Sequence, residues 1–395
     1  MTRTRTTHRP SGARRASALG LCALLLAGCT SGCTPAAEPD GPTGAGAGTE
    51  AGAEAKNGDV PPPAGRTAGD LLPVPRGRGS HLPDDFNGDG HRDLVLNDLV
   101  VAPGESRADG RSNGGPDDAG IGIVYGAAGP RALDPSVRRL LTPRHATAVR
   151  GRPPAVFEAA ASCDLDGDGF ADLVITTGTP PYDGPGRPPA ALHLLFGSPS
   201  GLSGAAVTLR IPERARPGEV QPGAVCGDFD GDGSADLVVT TSAREADFRI
   251  GFLRGPFTRT GAPRAAEAAV PVAGPALSAP ATGTDTDADG YDDLVVFARA
   301  PRPGTAAEGT LLLGGPDGPG RAGGPYRAEP LPLPELAAGG DSITELLGTA
   351  DFDGDKRPDL VTRTTHRGGR TDVVALYTAG RTKPVITFST SVFLR

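Results

Sequence analysis

Five short acidic segments hold the residues of this sequence that can do chemistry. They are Asp85-Phe-Asn-Gly-Asp-Gly-His-Arg-Asp93, Asp164-Leu-Asp-Gly-Asp-Gly-Phe-Ala-Asp172, Asp228-Phe-Asp-Gly-Asp-Gly-Ser-Ala-Asp236, Asp285-Thr-Asp-Ala-Asp-Gly-Tyr-Asp-Asp293 and Asp351-Phe-Asp-Gly-Asp-Lys-Arg-Pro-Asp359. Positions 1, 3, 5 and 9 carry a side-chain oxygen in every copy. The sets are Asp85, Asn87, Asp89 and Asp93; Asp164, Asp166, Asp168 and Asp172; Asp228, Asp230, Asp232 and Asp236; Asp285, Asp287, Asp289 and Asp293; and Asp351, Asp353, Asp355 and Asp359. Oxygen-only sets of this density match the hard coordination of Ca2+. Position 7, occupied by His91, Phe170, Ser234, Tyr291 and Arg357, would add a backbone carbonyl. Without a cation, carboxylates this close would repel one another.

Glycine at position 6 suits the left-handed turn that brings position 7 round to the ion. An EF-hand begins in the same way but requires a bidentate Glu at position 12. Leu96, Ile175, Val239, Val296 and Thr362 stand there instead. Strands rather than helices follow, which also removes dockerin-like loops. The copies are unequal. In the fifth, Lys356 replaces the glycine and Arg357 and Pro358 follow, so it is expected to be the weakest site; the first, with Asn87 and Arg92, ranks next.

The loops start 79, 64, 57 and 66 residues apart, and each runs at once into Leu-Val. The apolar runs Leu94 to Leu96, Leu173 to Ile175, Leu237 to Val239, Leu294 to Phe297 and Leu360 to Val361 read as strands. A second run ends at or near glycine in most copies: Ile123 to Gly126, Leu194 to Gly197, Gly251 to Gly255, Leu311 to Gly314 and Val374 to Tyr377. Segments such as Ala206 to Ile211 and Val385 to Phe388 supply a third strand, and Gly223 to Gly227 exemplifies a fourth. The expected fold is therefore all-β: a β-propeller of four-stranded antiparallel blades with five visible repeats, and six or seven blades if degenerate repeats are hidden.

The acidic loop joined to Leu-Val, with a later Phe-Gly or Tyr-Gly strand, resembles the FG-GAP and VCBS repeats of integrin α-chain propellers across residues 80 to 380. The resemblance does not by itself imply adhesion, because fold does not supply the ligand. It departs from the family in number, because integrin heads resemble seven-bladed rings.

Basic residues through Arg15 precede an uncharged apolar stretch, Ala16 to Ala27, and Leu26-Ala27-Gly28-Cys29 resembles a lipobox. Residues 1–28 are read as a signal peptide, with Cys29 the lipidated first residue of an exported protein held at the outer face of the cell membrane. Residues 29–75, rich in Gly, Ala, Pro and Thr, read as a disordered tether, and 76–395 as the propeller. Cys163 and Cys226 each stand just before an acidic loop. Either a bridge or two buried thiols is consistent with that placement, and their one-residue offset points them to opposite faces of regular strands.

A formal net charge of −8 excludes a nucleic-acid footprint. His8, His81, His91, His145, His193 and His366 form no ligand spacing, and no nucleophile–base pair or phosphate loop appears, so no catalytic residue and no organic cofactor is assigned. The sequence thus reads as a monomeric, calcium-binding cell-surface binding or scaffold module for a protein or glycan partner, with the insertions at 104–120 and 179–189 as contact loops. The alternative is an extracellular hydrolase or lyase on the same scaffold.

Overall fold

A computed structural model describes residues 71–97, 99, 120–145, 156–178, 191–242, 247–280, 284–299, 305–331, 333–334, 342–366 and 372–394. The expected leader, Cys29, most of the tether and nearly all of both insertions lie outside these residues.

The described chain is all-β and forms a five-bladed propeller. Blade 1 holds β1 (Leu94–Leu96), β2 (Ile121–Gly126) and β3 (Leu133–Leu141). Blade 2 holds β4 (Val156–Cys163), β5 (Asp172–Gly178), β6 (Ala191–Leu195) and β7 (Val207–Thr208). Blade 3 holds β8 (Glu219–Gly227), β9 (Asp236–Ser242) and β10 (Phe248–Arg254), with an outer edge broken into β11 (Ala265–Ala266) and β12 (Val270–Pro271). Blade 4 holds β13 (Ala276–Ser278), β14 (Leu294–Phe297), β15 (Ala307–Leu313) and β16 (Arg321–Ala328). Blade 5 holds β17 (Ser342–Ala350), β18 (Asp359–His366), β19 (Asp372–Tyr377) and β20 (Ile386–Phe388), followed by a 3-10 turn at Thr390–Leu394.

Every pairing is antiparallel, with registers such as Leu173 opposite Leu195 and Leu237 opposite Leu253. The Leu-Val runs after the acidic loops become β1, β5, β9, β14 and β18, as their apolar composition predicts. Most of their residues are buried; Leu237, Val238 and Val239 are all inaccessible, whereas Val95 and Leu360 stay partly exposed. Blade 1 departs from the four-strand expectation, with three strands among the described residues. Just after β1, the Asn97 side-chain amide donates to Ala159 O of β4 (3.1 Å) and its Oδ1 accepts from Ala159 N (2.9 Å), which ties blade 1 to blade 2.

Apolar clusters fill the junctions between neighbouring blades. Phe86, Tyr125, Phe157 and Leu195 join blades 1 and 2; Leu165, Leu194, Leu237 and Phe257 join blades 2 and 3; Phe229, Phe252 and Leu312 join blades 3 and 4. Leu96, Val124, Phe352, Leu376 and Phe393 close blade 5 onto blade 1. A buried Arg363–Asp372 pair (3.1 Å) reinforces that closure, with Arg363 also donating to Asn97 O (3.3 Å).

Cys163 and Cys226 form a disulfide, with Cα atoms 6.2 Å apart. The parity argument against the bridge does not apply, because it compares faces within one sheet. Cys163 lies on β4 and Cys226 on β8, the first strands of adjacent blades, and both strands carry register shifts before the cysteine.

Candidate metal centre

In blades 2 to 5 the acidic loop links the first strand to the second, so its conformation is fixed at both ends by the sheet. The left-handed turn expected at position 6 is present, with φ of +86° at Gly169, +85° at Gly233 and +92° at Gly290. A Cβ on Gly233 or Gly290 would meet nothing within 4 Å. The requirement there is backbone conformation alone, and Lys356 in the fifth loop adopts φ +65° in spite of its side chain.

A shared hydrogen-bond scheme orders the carboxylates. The position 1 carboxylate accepts from the N–H groups of positions 5 and 6, as in Asp168 N (3.1 Å) and Gly169 N (2.8 Å) to Asp164. Asp85, Asp228 and Asp285 repeat this pair, while Asp351 accepts from Gly354 N and Lys356 N. The position 5 carboxylate accepts from the N–H of position 7: His91, Phe170, Ser234, Tyr291 and Arg357 all donate in this way. Their carbonyls are thereby left as the acceptors of that residue.

Position 9 is buried and has a second duty. Asp93, Asp172, Asp293 and Asp359 accept from the position 2 N–H, and all five position 9 residues accept from a residue at or just past the end of β2, β6, β10, β15 or β19: Gly126, Gly197, Gly255, Gly314 and Ala379. The glycine is required by crowding. A Cβ on Gly197 would lie 2.3 Å from Ala171 O, and one on Gly255 would lie 2.1 Å from Ala235 O.

Four aspartate groups bring a ligand oxygen from each member within 4.8 Å of the others: Asp164, Asp166 and Asp172; Asp228, Asp230 and Asp236; Asp285, Asp287 and Asp289; and Asp351, Asp353 and Asp355. The first loop is arranged differently. Asn87 spends its amide on Asp89 (2.9 Å) and Pro75 O (3.0 Å). In three loops a deeply buried oxygen has no partner among the described residues: Asn87 Oδ1, Asp166 Oδ1 and Asp236 Oδ2. An unpaired buried carboxylate or amide oxygen is costly, and a cation of oxygen-seeking type supplies what it lacks. The donor set therefore fits Ca2+.

Burial, with the neighbouring carboxylates adding to it, pushes Asp172 up to about 8, Asp236 to about 7 and Asp166 to about 6. Asp93 is raised well above the ordinary carboxylate range by burial, and Asp89, Asp228, Asp287 and Asp359 are raised by the same cause. Desolvated carboxylates crowded together hold protons unless a positive charge is present.

Arginines reach three of the loops, and none of them was singled out by sequence. Arg259 pairs with Asp166 and Asp168; Arg254 with Asp230 and Glu267 (3.0 Å to the latter); Arg264 with Asp232 and, at 3.9 Å, Asp230; Arg321 with Asp287 (3.4 Å) and Asp289 (3.6 Å). The only signal available was position: each stands at the end of the third strand, in the turn after it, or at the start of the fourth strand.

A family model described as the FG-GAP repeat matches residues 157–187, which span β4, the second acidic loop and β5. No curated protein matches the chain. The matched loop and its strands recur in phase in the other blades, so the described part of the chain is a five-bladed β-propeller whose second blade carries an FG-GAP repeat.

Proposed function

We propose that the protein is an exported, lipid-anchored, calcium-binding propeller that acts as a binding or scaffold module at the cell surface. The FG-GAP fold supports a binding or scaffold module in general. The observation carrying the calcium reading is the repeated aspartate group within 4.8 Å, with buried oxygens at Asp166 and Asp236 that have no partner among the described residues. Bound calcium would supply the positive charge that these carboxylates otherwise lack. It would also lock the loop between the first and second strands of each blade, so its role is bracing rather than chemistry.

Lipidated Cys29 would hold the module at the membrane, with residues 30–75 as a spacer, and the insertions at 104–120 and 179–189 would meet a protein or glycan. Isothermal titration of the full chain with CaCl2 tests the first part. Several binding events are expected, with the second loop's event lost in Asp166→Ala; a flat isotherm would contradict the reading. Cys29→Ser should release the protein from the membrane fraction, and continued membrane retention would remove the anchor.

A further inference from the structure

Arg259 belongs to blade 3, yet its guanidinium lies in the acidic loop of blade 2. It stands in the tight turn after β10, closed by Gly261 N donating to Thr258 O (2.8 Å) and Thr258 N to Ala262 O (2.8 Å). From there its Nε reaches Asp166 Oδ2 and its Nη2 reaches Asp168 Oδ2, while the guanidinium carbon lies 4.7 Å from the centre of the Phe196 ring. The ring and the turn together hold the group in place. Asp166 is nearly enclosed, with 6 % of its side chain exposed, whereas Arg259 is 54 % exposed and can swing out.

The guanidinium satisfies only part of the loop. Both contacts use Oδ2 atoms, and Asp166 Oδ1 remains buried without a partner among the described residues. A divalent cation held by Asp164, Asp166 and Asp172, whose ligand oxygens lie within 4.8 Å of one another, would claim Asp166, and Asp168 belongs to the same ligand set expected from the sequence. Arginine and cation therefore compete for the charge of Asp166, with Asp168 as the arginine's second anchor.

Resting on the calcium reading above, we propose that Arg259 is a built-in counter-ion of the second acidic loop: it neutralises Asp166 and Asp168 when calcium is absent and is displaced when calcium binds. The arginine sets the calcium affinity of this loop below that of the same carboxylates alone. It also keeps blade 3 tied to blade 2 through charge when calcium is scarce, alongside the disulfide. The guanidinium is the ligand that calcium must beat, and the loop responds to calcium as a competition rather than a filling.

Calorimetric calcium titration and thermal melting of the full chain, with Arg259→Gln, Arg259→Lys and Asp166→Ala beside the wild type, test this. The event missing from Asp166→Ala identifies the second loop. In Arg259→Gln that event should tighten by about 2- to 5-fold, the fold-change expected when a partly exposed ion pair no longer competes. Arg259→Lys, which keeps the charge, should restore most of the wild-type value. Melting of Arg259→Gln should drop in EDTA and return to the wild-type value at saturating calcium.

An unchanged or weakened event in Arg259→Gln, with calcium still binding, overturns the counter-ion role alone. A stability loss equal in EDTA and in calcium overturns it too, because it marks a purely structural clamp. No calcium binding by any variant overturns both this role and the calcium reading.

Discussion

The junction between blades 3 and 4 and the junction between blades 4 and 5 are made from the same repeat, and they differ at three residues. At the first, Asp292 N donates to Asp228 O (3.0 Å), Gly315 N donates to Phe229 O (3.0 Å) and Phe229 fills the space between the sheets. At the second, the residue corresponding to Asp292 is Pro358, which has no N–H to give. Thr286 replaces the plugging aromatic and turns its hydroxyl onto Asp293. The residue corresponding to Gly314 is Ala379, which accommodates a Cβ. At the junction of blades 4 and 5 the hydrogen bond given by Asp292 therefore has no counterpart donor and Phe229 has no aromatic counterpart, and β17 carries the exposed Ile343. One sequence period thus yields seams joined by different contacts according to the residues at positions 2 and 8.

The sharpest way to break this comparison is to empty the seam between blades 3 and 4. Phe229→Ala removes a fully buried ring and should cost about 3–5 kcal/mol in denaturant unfolding. Thr286→Ala, at the same position of the next loop, should cost about 1 kcal/mol, the loss of one hydrogen bond. Equal costs would show that both seams are packed.

Next in size, Gly314→Ala places a Cβ 2.4 Å from Asp292 O and 3.1 Å from Phe229 O, and should destabilise by about 1–3 kcal/mol. Ala379→Gly in blade 5 should change stability by under about 1 kcal/mol, because the chain there does not crowd the position.

Acid titration separates the blades on charge. The native carboxyls of Asp166, Asp236 and Asp172 sit at about 6, 7 and 8, above an unfolded value of about 4. The folded protein therefore holds more protons across that window, and its calcium-free stability is greatest at the acid end and falls as pH rises from about 5 to 8.5. Thermal melting in EDTA should fall over this range. Saturating calcium should remove the fall, since it stabilises the ionised form. The fall should be smaller in a variant combining Asp172→Asn and Asp236→Asn, with Asp166 still contributing at the acid end of the range.

A small effect of opposite sign is expected at the fifth loop. Lys356→Gly relieves a side chain held at φ +65° and should stabilise the protein by about 1 kcal/mol, read as a rise in melting temperature.

The loops, their phase and the strands that follow them were legible because ligand spacing and Leu-Val runs are local patterns. β5, β9 and β14 stand where those runs placed them. The left-handed turn at position 6 was likewise readable from glycine. What escaped reading acts between blades. The Cys163–Cys226 bridge was left open because strand parity describes one sheet, and the two cysteines belong to two. Arg259 lies 91 residues from Asp168, and nothing in its own turn announces an acidic partner. The crowding that demands Gly197, Gly255 and Gly314 appears only when the carbonyl of position 8 is placed beside them. The three-stranded first blade was missed because residues before Asp85 offer no apolar run whose absence could be noticed.

The central claim is that calcium braces this propeller through its acidic loops. Amide hydrogen exchange of the full chain, compared in EDTA and in saturating CaCl2, tests it directly. The account predicts slowed exchange at residues 164–170, 228–234 and 285–291, with weaker protection at 351–357. Identical exchange in the two conditions would contradict it.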